Sequence, residues 1–217
     1  MSVSRIALAS GARAVACRMA DVGDLAKLLV DIAVGDRPVV RAALDAVPLL
    51  ATARLERRDE FFIAECRVQV YAGDTALHAA AFAYDVDIAR DLVARGADIR
   101  ARNRRGAEPL HAAVIGAPGT TDPTRQRAVI EFLVDAGADP NAVALGGVTP
   151  LHRAVRNRCS TAVATLLRAG ADPRLTNDHG STPSDLARWT TGRGGVGSDE
   201  AKIEQQVIID LLNKATA

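Results

Sequence analysis

One four-residue word recurs at a fixed step along this chain, and the repetition limits its fold more than any other feature. The word reads Thr75-Ala76-Leu77-His78, Glu108-Pro109-Leu110-His111 and Thr149-Pro150-Leu151-His152, with an edited copy at Thr182-Pro183-Ser184-Asp185. The last residues of these words lie 33, 41 and 33 positions apart, a 33-residue period with one insertion of eight. A second word trails each of the first three: Arg95-Gly96-Ala97-Asp98, Ala136-Gly137-Ala138-Asp139 and Ala169-Gly170-Ala171-Asp172. The stretch Gly147–Asn177 shows what one unit must do. Thr149 suits an N-cap, and Pro150 suits the first helical position, where a missing N–H costs nothing. Leu151, Ala154 and Val155 share one helical face. Asn157 to Ser160 make a turn, and Val163, Leu166 and Leu167 form the apolar stripe of a second helix that stops at Gly170. Ala171-Asp172-Pro173 then starts an extended excursion towards the next unit.

A period of this length carrying these two words resembles the ankyrin repeat. The resemblance runs over roughly residues 22 to 214 and speaks to fold more than to function. It implies an all-α solenoid of helix-turn-helix units with β-hairpin-like fingers, about five repeats including degenerate terminal caps. The expected layout is a tail or capping segment over 1–21 and one domain over 22–217. Its repeats fall near 22–47, 71–103, 104–143, 144–176 and 177–214, with an ordered insertion over 48–70.

The first unit strays from the pattern, as a terminal repeat must when it turns one face to water. Leu25, Leu28, Leu29 and Ile32 give one amphipathic helix, Gly35-Asp36 a turn, and Pro38 the start of a second. A rival register makes Ala14 to Asp21 the first helix and Asp24 to Ile32 the second. In the 48–70 insertion, Phe61, Phe62 and Ile63 are too apolar for a free loop, and Arg67 to Tyr71 alternate like a strand. Residues 115–123 and 190–198 lengthen the inter-helix turns of the third and fifth units. The resemblance puts both loops on the edge away from the fingers, where such insertions often line a binding face.

A formal net charge of +1 argues against broad electrostatic attraction to nucleic acid or membrane. Only Lys27, Lys202 and Lys214 among the 27 basic residues are not Arg. That bias fits a GC-rich bacterial genome as readily as selection for Arg chemistry, and a bacterial source is expected. Cys17, Cys66 and Cys159 are odd in number and lack CxxC spacing, which predicts free thiols in a reducing, cytoplasmic setting. Ala14-Val15-Ala16-Cys17 loosely resembles a lipoprotein cleavage box, but Arg13 interrupts the apolar run before it.

The chemical signals mostly dissolve on inspection. Gly192 to Gly197 formally match GxGxxG, yet they follow a helix with no βαβ unit around them. What survives is a weak anion cradle at Arg193, Gly194 and Gly195. His78, His111 and His152 stand one solenoid step apart, about 10 Å, too far to share a metal. The resemblance instead implies that each ties its unit to neighbouring backbone. No nucleophile–base set stands out, so neither an enzyme, a cofactor nor a metal is expected.

What remains is recognition. The resemblance implies that partners meet the finger tips and the exposed end of each first helix. On matching positions these are Tyr71, Asp74, Arg102, Arg104 and Arg105, then Leu145, Asp178 and His179, with Phe82, Arg156 and Trp189 at helix ends. Trp, Tyr and Arg are enriched at interface hot spots, and Arg100 to Arg105 make a basic finger suited to carboxylates. The expected function is a non-catalytic protein–protein interaction module, monomeric as capped solenoids often are, binding a partner of acidic character. A small-ligand or enzymatic site at the glycine loop 192–198 is the first alternative, and nucleic-acid binding by the Arg finger the second.

Overall fold

The computed structural model describes residues 24–56, 59–64, 68–115, 122–189 and 199–217. Helices follow one another in consecutive pairs. They are α1 (24–34) with α2 (Arg37–Ala46), α3 (Ala76–Phe82) with α4 (Val86–Ala94), and α5 (Pro109–Ala113) with α6 (Pro123–Asp135). Next come α7 (Pro150–Arg156) with α8 (Ser160–Arg168), and α9 (Pro183–Trp189) with α10 (Asp199–Thr216). The short helices α3, α5, α7 and α9 stack side by side as an inner layer, and α4, α6, α8 and α10 as an outer one.

The terminal unit adopts the same arrangement. Leu29 and Ala33 of α1 border the same concave space as Ala79 and Phe82 of α3. α2 runs beside outer helix α4: Arg37 bonds Asp85 at 2.6 Å, and Arg95 reaches back to Asp45 at 2.6 Å. The helices over 24–34 and 37–46 agree with the register starting near residue 24, while the rival register's first helix, Ala14 to Asp21, lies outside the described residues.

Three inner helices, α3, α5 and α7, open by one mechanism. The Nδ1 atoms of His78, His111 and His152 accept the backbone N–H of Thr75, Glu108 and Thr149 in turn. That acceptance puts the ring proton on Nε2. Nε2 then donates to the carbonyl of Ala107, Val148 and Ser181 respectively, each on the following finger, at 3.0–3.1 Å. In the last unit Asp185 replaces His and accepts from the Thr182 N–H and hydroxyl, at 2.9 and 2.7 Å. A carboxylate caps its own helix but has no proton to reach outward with.

The second word closes each outer helix. Gly96, Gly137 and Gly170 have φ of +91, +104 and +90, which lets the following alanine N–H reach back to the carbonyls of Leu92, Leu133 and Leu166. The Asp that follows bonds the backbone N–H two residues on, at Arg100, Asn141 and Arg174. Leu77, Leu110 and Leu151 of the first word are fully buried in one core with Ile88, Leu92, Ile130, Leu133, Val163 and Leu166. Small alanines between them let the layers approach closely, which is why so few aromatics are needed.

The fingers are tied tip to tip. Ala72 O accepts the N–H of Arg104, Arg105 O that of Leu145, and Gly146 O that of Asp178. Ahead of the first finger, a 3-10 turn over Pro48–Ala51 and a hairpin of β1 (Phe61–Ile63) and β2 (Val68–Val70) fill the 48–70 segment, with Phe61 opposite Val70. Ile63 and Val70 join the core, while Phe62 is 58% exposed. The lengthened turns over 116–121 and 190–198 lie outside the described residues.

Two outcomes test this account. Burial holds all three ring pKa values down, that of His111 to about 3. Because these rings are neutral when folded and protonate when released, their contribution is intact above about pH 6.5 and is lost as pH falls. For His111 alone the loss at pH 5 comes to about 2 kcal/mol, read as a falling urea midpoint between pH 7.5 and 5 that flattens in His111→Leu. Separately, a Cβ on Gly147 would stand 2.6 Å from Asp178 N at a φ of +70. Gly147→Ala is expected to lower stability by about 1–3 kcal/mol in the same assay.

Candidate functional site

The inner helices and the fingers enclose a concave cavity of about 500 Å³. Its N-terminal wall comes from Leu29 and Ala33 of α1 with Ile63, Val68 and Val70 of the hairpin. Its floor is the exposed ends of α3, α5 and α7, and its rim is the first two fingers. Apolar and cationic surfaces therefore meet in one place.

Five of the residues singled out from sequence border this cavity: Tyr71, Asp74, Phe82, Arg105 and Arg156. Tyr71 organises the rim. The guanidinium carbons of Arg104 and Arg105 lie 5.0 and 5.5 Å from its ring centroid, within cation–π range. Arg104 is also bonded to Glu60 from the hairpin segment, so the insertion ties down the finger tip.

Asp74 corrects an expectation. Expected at the partner contact, Asp74 is only 8% exposed. One oxygen accepts the Tyr71 N–H at 2.7 Å and the other the Asn103 side-chain amide at 2.8 Å. Asn103 in turn accepts the N–H groups of Arg105 and Ala107, as Asn177 does those of His179 and Ser181 in the last finger. Asp74 is thus a strut inside the finger. The basic finger is corrected in part as well. Arg102 pairs with Glu108 at 3.0 Å, Arg104 with Glu60, and Arg100 bonds Gly137 O at 3.0 Å. The carboxylates that meet Arg102 and Arg104 are the chain's own, which removes charge that a phosphate backbone would need.

Three further singled-out residues are outside the cavity's lining. Leu145, 69% exposed, Asp178 and His179 stand on the third and fourth finger tips. Trp189 is the last residue of α9, with its side chain outside the described residues, as are Arg193, Gly194 and Gly195.

Sequence reading missed Arg153. It directly follows His152 and reads as an ordinary helical residue, yet its side chain turns into the cavity. There Nη1 donates to His111 O at 3.2 Å. Burial, then the like charges of Arg105 and Arg156, push its pKa below the usual guanidinium value. Glu108 was missed too, because it stands where the word otherwise carries Thr. Its carboxyl is nearly buried; Oε1 meets Arg102 and, among the described residues, Oε2 has no hydrogen-bond partner. Burial pushes its pKa up.

A family model described as Ankyrin repeats (3 copies) matches residues 14–144, more than half of the chain, and a second, Ankyrin repeats (many copies), matches 133–187. The chain belongs to the ankyrin-repeat family. Ankyrin repeats are generally protein–protein interaction modules. The chain is 42% identical over 92 residues to Ankyrin repeat and SOCS box protein 16 of Mus musculus, covering 42% of this chain and 20% of that protein. It is 34% identical over 125 residues to the B-cell lymphoma 3 protein homolog of Mus musculus, covering 57% and 26%. It is 30% identical over 144 residues to the tyrosine-protein kinase Shark of Drosophila melanogaster, covering 64% and 14%. The chain thus spans about a quarter or less of the length of these relatives. All are animal proteins, so the bacterial source suggested by the arginine bias finds no support. Among the described residues no helix is long and apolar enough to cross a membrane, and no group of three His, Cys, Asp or Glu is placed to hold a metal.

The ankyrin fingers thereby contain both structural and outward-facing residues, and stability measurements separate them. Asp74→Ala strands the Tyr71 N–H and the Asn103 amide and is expected to cost about 1–3 kcal/mol in urea unfolding. Leu145→Ser, at an exposed tip, is expected to stay within about 0.5 kcal/mol of wild type.

Proposed function

We propose that this chain is a non-catalytic protein-interaction module whose concave groove holds a segment of a partner protein. The observation that carries the reading is the cavity itself. Phe82, Tyr71, Arg105 and Arg156 converge there from two fingers and two inner helices, joining apolar floor to cationic rim. Aromatic and Arg side chains gathered in a concave, partly desolvated surface are the composition of interface hot spots. The finger tips at Leu145, Asp178 and His179 extend the same contact line towards the C-terminal units. A reducing, cytoplasmic setting agrees with the buried free thiol of Cys159.

The test compares affinity capture from host lysate by wild type and by an Arg105→Ala, Arg156→Ala, Leu145→Ala variant, with circular dichroism confirming that both fold. A protein retained by wild type and lost with the variant is expected. Equal recovery by both would overturn the groove assignment and shift attention to the edge carrying residues 190–198.

A further inference from the structure

Three guanidinium groups share the concave cavity, and among the described residues none of them forms an ion pair. Arg105 lies against the Tyr71 ring, Arg153 bonds only the His111 carbonyl, and Arg156 is exposed at the end of α7. Two carboxylates border the same space, and neither is ion-paired with any of the three; Asp74 attracts Arg153 only through space. Both oxygens of Asp74 are engaged within the finger. Glu108 gives one oxygen to Arg102 and so meets a different guanidinium. Burial and mutual repulsion already oppose the charge on Arg153. An anion arriving here would relieve that repulsion and would meet Arg153 already oriented by the His111 carbonyl.

We propose that this cavity is a carboxylate pocket: Arg105, Arg153 and Arg156 receive an Asp or Glu side chain of a bound peptide, whose apolar neighbour packs on Ile63, Val68 and Phe82. The proposal rests on the groove reading above and deepens it. The cavity's composition selects the ligand class. A free inorganic anion would satisfy the arginines but leave the apolar wall of hairpin and α1 wet. An apolar segment alone would bury unpaired cations, which is strongly unfavourable. An acidic residue beside an aliphatic or aromatic one answers both halves. A nucleic acid would need a basic stripe, and the neighbouring Arg102 and Arg104 are already paired.

The experiment selects binders to the full chain from a random peptide library, then measures a synthetic peptide of the enriched sequence by fluorescence anisotropy. The expected enrichment is Asp or Glu next to a large apolar residue. Neutralising that acid in the peptide, Glu to Gln or Asp to Asn, should weaken binding about tenfold or more. Arg156→Gln, at an exposed position that leaves the fold intact, and Arg153→Met should cause comparable losses, and on either variant the neutralised peptide should lose little more. Peptides that depend on Phe82 in Phe82→Ala but are indifferent to their acid and to both arginines would overturn the carboxylate pocket while leaving the groove reading intact. Peptides indifferent to Phe82 and to the arginines alike, or no enrichment at all, would overturn both. Self-association of the chain that Arg156→Gln abolishes would overturn the proposal in favour of a second copy as occupant.

Discussion

The structure depends on one imidazole in each of three central units doing two jobs at once. Nδ1 accepts the N–H at the start of its own helix, and that bond fixes the proton on Nε2, which donates to the next finger. Capping within a unit and attachment between units are thus one event. Few other side chains combine an acceptor and a donor at that separation in a rigid ring. The cost is a ring that must stay neutral in a buried place, which makes the stack sensitive to acid. Asp185 shows the limit of the device, because its carboxylate completes the cap and offers nothing to a further unit.

The fingers form a second layer of order above the histidines. Their tips bond in sequence from Ala72 to Asp178, and Gly147 has no side chain because Asp178 passes too close for one. That ladder sets the spacing of the residues it carries. Tyr71 on the first finger therefore meets Arg104 and Arg105 on the second, and Arg105 comes to share a space with Arg153 and Arg156 from α7. The hairpin of the 48–70 segment adds the apolar wall opposite. A uniform array has been made locally distinctive by one insertion and three cations.

The words themselves carry the fold because each residue in them answers a local requirement. Thr149 and Pro150 start a helix, Gly170 ends one at positive φ, and Leu151 buries against the outer layer. Such requirements repeat wherever the word repeats, so helix pairs and core leucines are readable from spacing, while the structural role of the histidines follows from the resemblance to ankyrin repeats. Positions at the finger tips are readable in the same way, as Leu145 and His179 show by their exposure.

What a given side chain does at its position is decided by partners far away in sequence. Asp74 and Leu145 both belong to fingers, yet Asp74 is drawn inward by Asn103, 29 residues on, while Leu145 stays in water. Arg104 finds Glu60 across 44 residues, and Arg153 finds the His111 carbonyl across 42. The repeat period and its capping words determined that this chain would stack helix pairs behind a row of fingers, because those constraints are local and periodic. Only the tertiary structure decided which arginines were left without a counter-ion, because charge pairing is settled by distances between units that no word in the sequence specifies.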